Sequence, residues 1–433
     1  MDEIITDFGP GFDNKVAGEV VVKLAPGTER QVAESVPSGP MRGIAASLPT
    51  RLGLTALDRV LAKLKARGLC RVHKPMPAAA TRAVGVAEAA TSLAGTYRIE
   101  LGTDIDPAEA ARELVAVTGV EAAEPNRFRF ASVVPNDPMY AQQWGLARIN
   151  CPAAWDRTTG AASVTVAVVD TGIDIDHPDL AALLVPGQDL VDLAGVSPPA
   201  GWRFEGDFLP RDADAQDEVG HGTHVAGTIA ALSNNGAGVA GVTWQCRLMP
   251  VKVLARMVRI ADGRVSGSGT AVDIAAGIRW AVDHGAHVMN LSLGGYTDTF
   301  VERDAIAYAI ARGCVVVAAM GNDDTADPSF PAAYPGVIAV GATDQADRRA
   351  WFSNRGAHID VAAPGVGIRS SDWDDAYSDK SGTSMASPHV AGVAALIRSC
   401  APALTAAQVG QILRDTARPL RDAPADPVPN DRY

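Results

Sequence analysis

The sequence predicts an α/β protein with a mostly parallel central sheet covered by helices, preceded by a small α+β domain. Three observations carry this reading. From Pro135 onward, short and nearly continuous apolar runs alternate with longer stretches of helical periodicity, the pattern of strands buried on both faces and linked by helices. Before that point the apolar runs are fewer and mixed with turn residues. The charge changes at the same place, with 16 acidic and 16 basic residues before Val134 against 34 acidic and 22 basic after it. A chain of 433 residues suits two to three domains at about 100 to 200 residues each.

Residues 1–17 are Gly-rich and polar and read as a flexible terminus. Residues 18–132 form the small domain. Within it, 19–24 and 96–101 read as short strands, and Leu54, Leu57, Val60, Leu61 and Leu64 recur at helical spacing. A second helix starts at Asp106-Pro107-Ala108-Glu109, where Asp caps, Pro suits the first helical position and Glu sits where a capping box places it. These elements predict a small mixed sheet with helices on one face; residues 76–95 are Ala-rich and carry no clear element. The large domain, 133–417, has predicted strands at 164–169, 248–254, 288–293, 314–319 and 337–340. Its predicted helices run over 270–284, 301–312, 384–399 and 405–417. The tail, 418–433, is rich in Pro and Asp and reads as disordered.

Composition narrows the function. Hydrophobic residues make up 47% of the chain and charged residues 20%, which supplies a core and excludes a coiled coil or a polar tail protein. No stretch approaches the roughly 20 apolar residues of a membrane helix. A net charge of −12 repels phosphate backbones, which argues against nucleic acid as a partner. Five widely spaced cysteines without a C-x-x-C pair indicate neither a zinc knuckle nor a disulfide scaffold and read mostly as buried thiols. The start, Met1-Asp2-Glu3 and then Gly9-Pro10-Gly11, lacks the basic and apolar regions of a secretory signal.

Four local features carry chemistry. The run 164–169 ends in Asp170-Thr171-Gly172, a carboxylate held at a strand end; read alone, it is as well a helix cap. Gly220-His221-Gly222-Thr223-His224 opens a helix of small residues. His221 and His224 at spacing three are conceivable zinc ligands, although no adjacent glutamate or third clustered ligand accompanies them. Ser381-Gly382-Thr383-Ser384-Met385-Ala386-Ser387-Pro388 places a serine among small residues at a helix start, where a serine is commonly a cap. The run 315–319 ends in Met320-Gly321-Asn322, and an amide at a strand end is either a turn residue or a donor to a developing oxyanion. Together they supply what nucleophilic acyl transfer needs: a serine, a general base, a group that orients the base and an oxyanion donor.

The order Asp170, His221, Asn322, Ser384 and the residues around each resemble the subtilisin-like serine proteases, the subtilase family or peptidase S8. The resemblance covers roughly residues 135–417. It implies a three-layer subtilisin-like domain and a serine endopeptidase acting on polypeptides, with Ser384 as nucleophile, His221 as general base and acid, and Asp170 holding the imidazole. Asn322 and the Ser384 N–H would serve the oxyanion. Gly267-Ser268-Gly269 and Ser292-Leu293-Gly294 resemble the family's two edge segments that bind an extended peptide, and Ala318, Ala319, Gly294 and Ser329 would line the first side-chain pocket. Asp217, Glu218, Asp323 and Asp324 lie in loops beside the site, which raises a preference for basic residues; a generally acidic surface explains them equally. The loop from Leu232 through Asn235 and Ala237 to Val239 looks like the family's calcium loop, with Asp137 and Asp179 as the matching carboxylates. Calcium is the expected structural cofactor, and no organic cofactor is implied. A second calcium near Asp212 and Asp214 resembles a family variant.

The chain departs from the family in two places. An excess of residues at 191–211, including Trp202 and Phe204, is a lid, an added cleft wall or a surface loop. The N-terminal part looks like a subtilase propeptide over residues 97–126, above all Gly119-Val120-Glu121-Ala122-Ala123-Glu124-Pro125-Asn126. This implies a zymogen whose first 132 residues act as intramolecular chaperone and inhibitor, removed by self-cleavage ahead of Pro135. A monomer is expected. The resemblance implies secretion, with a cytoplasmic location as the alternative given the start of the chain. The rival readings are an idle subtilase fold that binds without cutting and a metal-dependent hydrolase built on His221 and His224.

Overall fold

The structure, a computed structural model, describes residues 15–25, 27–32, 36–37, 48–73, 95–102, 104–127, 134–418 and 420. The expectation of a flexible terminus therefore lies outside the described residues up to Asn14, as do the unassigned stretch 76–94 and nearly all of the tail. The chain divides into two compact units, residues 1–131 and 132–433.

In the first unit, β1 (Lys15–Leu24), α1 (Thr55–Lys63), β2 (Gly68–Arg71), β3 (Thr96–Glu100), α2 (Pro107–Val115) and β4 (Val120–Arg127) build a four-stranded sheet in the order β2-β3-β1-β4. Every pairing is antiparallel, so the sheet is not mixed as the sequence suggested. β1 begins earlier than expected, inside the segment read as a loose terminus. Val20, Val22 and Leu24 alternate to one face of β1 and share a core with Leu57 and Leu61 of α1 and with Ala110 and Leu114 of α2, which places both helices on that face. The Asp106 carboxylate accepts from the N–H of Ala108 at 2.8 Å and Pro107 opens the helix, as predicted. Glu109 instead faces Arg112 at 3.9 Å and does not complete a capping box.

The second unit opens with two short helices, α3 (Trp144–Arg148) and α4 (Cys151–Trp155), followed by β5 (Thr165–Asp170), β6 (Gln188–Asp189), β7 (Trp202–Glu205), α5 (His221–Ala230), β8 (Arg247–Lys252), β9 (Ala255–Arg259) and β10 (Val265–Ser268). It continues through α6 (Ala271–Asp283), β11 (Val288–Leu291), α7 (Phe300–Ala311), β12 (Val315–Ala319), β13 (Ile338–Thr343), β14 (Val361–Pro364), β15 (Ile368–Asp372), β16 (Ala376–Lys380), α8 (Thr383–Cys400) and α9 (Ala406–Thr416). Seven strands form one sheet in the order β14-β13-β12-β11-β5-β8-β6, parallel throughout. The apolar runs are continuous because both faces are covered. Val166 and Val168 of β5 pack with Val225 and Ile229 of α5 and Ala391 and Ala394 of α8. Ala167 and Val169, pointing the other way, pack with Ile274 and Ile278 of α6 and Ile306 of α7. Each buried valine or isoleucine contributes roughly 1.5–3 kcal/mol of transfer free energy.

The 191–211 excess resolves into neither a lid nor a plain loop. It contributes β7, the outer strand of an antiparallel sheet ordered β10-β9-β7. Phe204 and Phe208 cover Val191, Leu193 and Ala255, and the Arg259 guanidinium lies over the Trp202 ring. Cys70, Cys151, Cys246 and Cys314 are buried free thiols, and Cys400 is exposed.

Candidate active site

The parallel sheet delivers the four chemistry-bearing residues to the carboxyl ends of its strands, where open α/β sheets form their clefts. Asp170 is the last residue of β5 and 0% exposed. His221 is the first residue of α5, after Gly220 at φ +82°. A Cβ on Gly222 would fall 2.0 Å from the carbonyl oxygen of Gly172, so only glycine lets the start of α5 press against the turn that follows Asp170. Asp217 braces the same junction: it accepts from the Thr171 hydroxyl (2.8 Å), the Thr223 hydroxyl (2.7 Å) and the N–H groups of Val219 (2.8 Å) and Gly220 (3.0 Å). The result is a hydrogen bond of 2.7 Å between His221 Nδ1 and Asp170 Oδ1. A carboxylate partner fixes the proton on Nδ1 and leaves Nε2 as the basic nitrogen. Burial by itself lowers the imidazole pKa, but the charge and hydrogen bond of Asp170 outweigh it and raise His221 above its ordinary value.

Ser384 is the second residue of α8, so its backbone N–H has no intrahelical acceptor. Its Oγ donates to the Ser292 carbonyl at 3.2 Å, and Ser292 Oγ donates to the Ser384 carbonyl at 2.8 Å. Among the described residues no hydrogen bond joins Ser384 to His221; such bonds commonly tighten only when substrate arrives. Asn322 follows β12, and its Oδ1 accepts from the Thr383 N–H (2.8 Å) and the Thr383 hydroxyl (3.0 Å). That pins the amide and leaves its NH2 without a protein acceptor among the described residues, next to the Ser384 backbone.

A cleft of about 690 Å³ runs past His221. Gly267, Ser268 and Gly269 line one side, and Ser292, Leu293 and Gly294 line the other. Ser329 is buried behind Gly294, where a Cβ would meet its Oγ at 3.1 Å. Ala318 and Ala319 are buried at the end of β12, and Phe330 and Leu254 add apolar surface to the cleft. The acids expected to attract basic residues are committed elsewhere. Asp217 is the brace just described, Glu218 accepts from the Asp207 N–H (2.8 Å), Asp323 accepts from the Tyr296 hydroxyl, and Asp324 pairs with Arg349 (2.8 Å) and Arg355 (2.7 Å). Sequence reading missed Lys380, which lines the cleft, donates to the Gly220 carbonyl (2.5 Å) and pairs with Asp372 (2.9 Å).

The zinc alternative does not assemble. His221 faces Asp170, whereas His224 is buried with Nε2 against the Ile368 carbonyl (2.9 Å), and burial pushes its pKa down to about 3. The expected calcium residues do come together. Asp137 accepts from the N–H groups of Asn234 (2.7 Å) and Asn235 (3.3 Å), while Asp179 accepts from Asn235 Nδ2, the Val239 N–H and the Tyr377 hydroxyl, each at 2.9 Å. Leu232 donates its N–H to the Asp179 carbonyl (2.7 Å), and Ala237 donates its own to Asn235 Oδ1 (2.7 Å). Both carboxylates are buried, and among the described residues neither forms an ion pair. Burial, with the Asp179 charge adding to it, raises the Asp137 pKa. Two buried carboxylates in an oxygen-rich loop without a cation of their own fit a hard divalent ion. Near the second predicted site the carboxylates of Asp212, Asp189 and Asp207 lie together, and Asp212 also accepts from the Asp214 N–H (2.8 Å). The Lys252 ammonium lies 3.2 Å from Asp189 and 3.8 Å from Asp207 and supplies the positive charge from within.

Residues 161–433 match the family model described as the subtilase family, Peptidase_S8, and the chain belongs to that family. It is 45% identical over 281 residues to the thermophilic serine proteinase of Bacillus sp. (strain AK1), a match covering 65% of this chain and 63% of that protein. It is 43% identical over 277 residues to subtilisin Savinase of Lederbergia lenta, covering 64% of this chain and 91% of that one. Among solved structures it resembles a protease of Pseudoalteromonas arctica PAMC 21717 with a TM-score of 0.59 and 36% identity, over 66% of this chain and 94% of that chain. The fold is thus subtilisin-like, three layers around a parallel sheet.

Proposed function

We propose that this chain is a serine endopeptidase that cuts polypeptides by acyl transfer through Ser384. The observation that carries the reading is the Asp170–His221 hydrogen bond of 2.7 Å, with the Asn322 NH2, which has no protein acceptor among the described residues, near the Ser384 N–H. His221 Nε2 takes the proton of Ser384 as its oxygen attacks the scissile carbonyl, and then delivers that proton to the leaving amine. Asp170 keeps the imidazole in the required tautomer and stabilises the imidazolium. The Asn322 NH2 and the Ser384 N–H receive the negative charge that builds on the carbonyl oxygen. Gly267–Gly269 and Ser292–Gly294 bind the acyl-side backbone of the peptide as an added strand.

The zymogen is part of the proposal. The first unit is compact and ends at residue 131, close to the self-cleavage point expected ahead of Pro135, and would serve as chaperone and inhibitor. Calcium is proposed as a structural ion held by Asp137 and Asp179 with Asn235 and the 232–239 loop. When bound it would neutralise the two buried carboxylates.

Intact mass of the purified wild-type chain beside Ser384→Ala, both made with calcium, tests the proposal, together with labelling by a serine-directed fluorophosphonate. Wild type should label and lose a segment close to residues 1–131, while Ser384→Ala stays whole and unlabelled. A wild type that labels but keeps its full length removes the zymogen. One that neither labels nor shortens removes the protease.

A further inference from the structure

One carboxylate in the cleft has no part in the proposed chemistry. Glu302, in the first turn of α7, is 8% exposed and lines the cleft together with Thr299, Leu254, Ile274, Leu293 and Phe330. Among the described residues it forms no ion pair. Among those residues its side chain receives one hydrogen bond, from the Thr299 hydroxyl to Oε2 at 2.9 Å, and Oε1 receives none.

The local sequence explains why a glutamate stands there only up to a point. Thr299-Phe300-Val301-Glu302 spells a capping box, in which the glutamate would fold back onto the Thr299 N–H and the threonine would accept from the N–H of Glu302. Neither bond forms. The Tyr334 hydroxyl accepts from the Thr299 N–H at 3.1 Å and donates to the Thr299 carbonyl at 3.0 Å, and the Thr299 hydroxyl turns to the glutamate. Tyr334 has taken over the cap, and Glu302 is left facing the cleft with a free acceptor. The nearby cations are already engaged. Arg303 pairs with Asp298 at 2.5 Å, and Lys380 pairs with Asp372 at 2.9 Å. A carboxylate held this way loses solvation without an internal partner, and burial accordingly raises its pKa.

We propose that Glu302 is a specificity-determining residue that accepts the cationic head of a lysine or arginine, upstream of the cleaved bond, in a peptide held between the 267–269 and 292–294 segments. The aliphatic stem of such a side chain covers Leu254, Ile274 and Leu293, and its head reaches the glutamate. The proposal rests on the serine endopeptidase reading.

Fluorogenic peptides varied one upstream position at a time test it. At one position, lysine or arginine should exceed norleucine and glutamine by roughly tenfold or more in kcat/KM. In Glu302→Gln that ratio should fall to about one while the variant still labels with fluorophosphonate, which shows that it has folded. A wild type that labels with fluorophosphonate and cuts neutral peptides but shows no basic preference overturns this proposal alone. So does a preference that survives in a labelling-competent Glu302→Gln. A wild type that neither labels nor cuts overturns it together with the reading beneath it.

Discussion

Asp170 and Asp179 are both 0% exposed and follow one another closely in the chain, yet the regions around them differ in what balances the charge. Asp170 faces an imidazole at 2.7 Å, a partner that can gain and lose a proton. Asp179 is surrounded by an amide, an N–H and a phenol, all neutral, with Asp137 adding a second negative charge. Burial of a carboxylate is costly unless it is compensated. In one region the compensation is a titratable base, which makes chemistry possible; in the other, on the calcium proposal, it would come from outside the chain. The Asp189 cluster is a third solution, since Lys252 is 1% exposed and sits among the acids permanently.

The largest expected effect breaks the first region. Asp170→Asn should fold and bind peptide but lose roughly 10⁴-fold in kcat, because the imidazole loses its orienting partner. The sign of the pH effect follows from the raised His221 pKa. The base works only when neutral, so wild-type kcat/KM should rise with pH through a midpoint above about 6.5, and the variant's residual activity should have its midpoint lower. A loss under tenfold, or an unmoved midpoint, would show that Asp170 does not tune His221.

Asn322→Ala tests the same region at smaller amplitude. It should lower kcat by roughly 10²–10³-fold, the size known for the matching donor in subtilisin, with little change in KM. Equal losses in binding and turnover would assign the amide to ground-state contact. The smallest effect sharpens the second region. Calcium at about 100 times its Kd should stabilise the wild type by roughly 3 kcal/mol in thermal or denaturant unfolding. Asp179→Asn should lose that increment, and Lys252→Met, which alters the other acidic cluster, should retain it. If Asp179→Asn still responds fully to calcium, the ion binds elsewhere.

The large domain was readable because its strands are buried on both faces and leave unbroken apolar runs. The predicted helix 270–284 emerges as Ala271–Asp283 with Thr270 at the cap, and 405–417 as Ala406–Thr416 with a full capping box. Short or half-exposed strands were not readable. β7, β9 and the hairpin β15–β16 are interrupted by Arg, Glu, Asp, Ser or Lys, and the first unit's sheet was expected to be mixed because strand direction leaves no mark in so short a run. At the site, motif residues were found because glycine and small residues crowd around them. Glu302 was missed because within the predicted helix 301–312 nothing local marks which polar position turns to the cleft.

By itself the sequence determined the alternation of strand and helix, the family and the residues proposed to carry the chemistry, since these depend on local periodicity and on motifs contiguous in the chain. Only the tertiary structure decided which acids face the cleft and which are spent on internal partners. Those outcomes depend on partners far away in sequence: Tyr334 for Thr299, Lys252 for Asp189, Thr383 for Asn322. A carboxylate's role is set by the charge that stands opposite it, and that charge is placed by the fold.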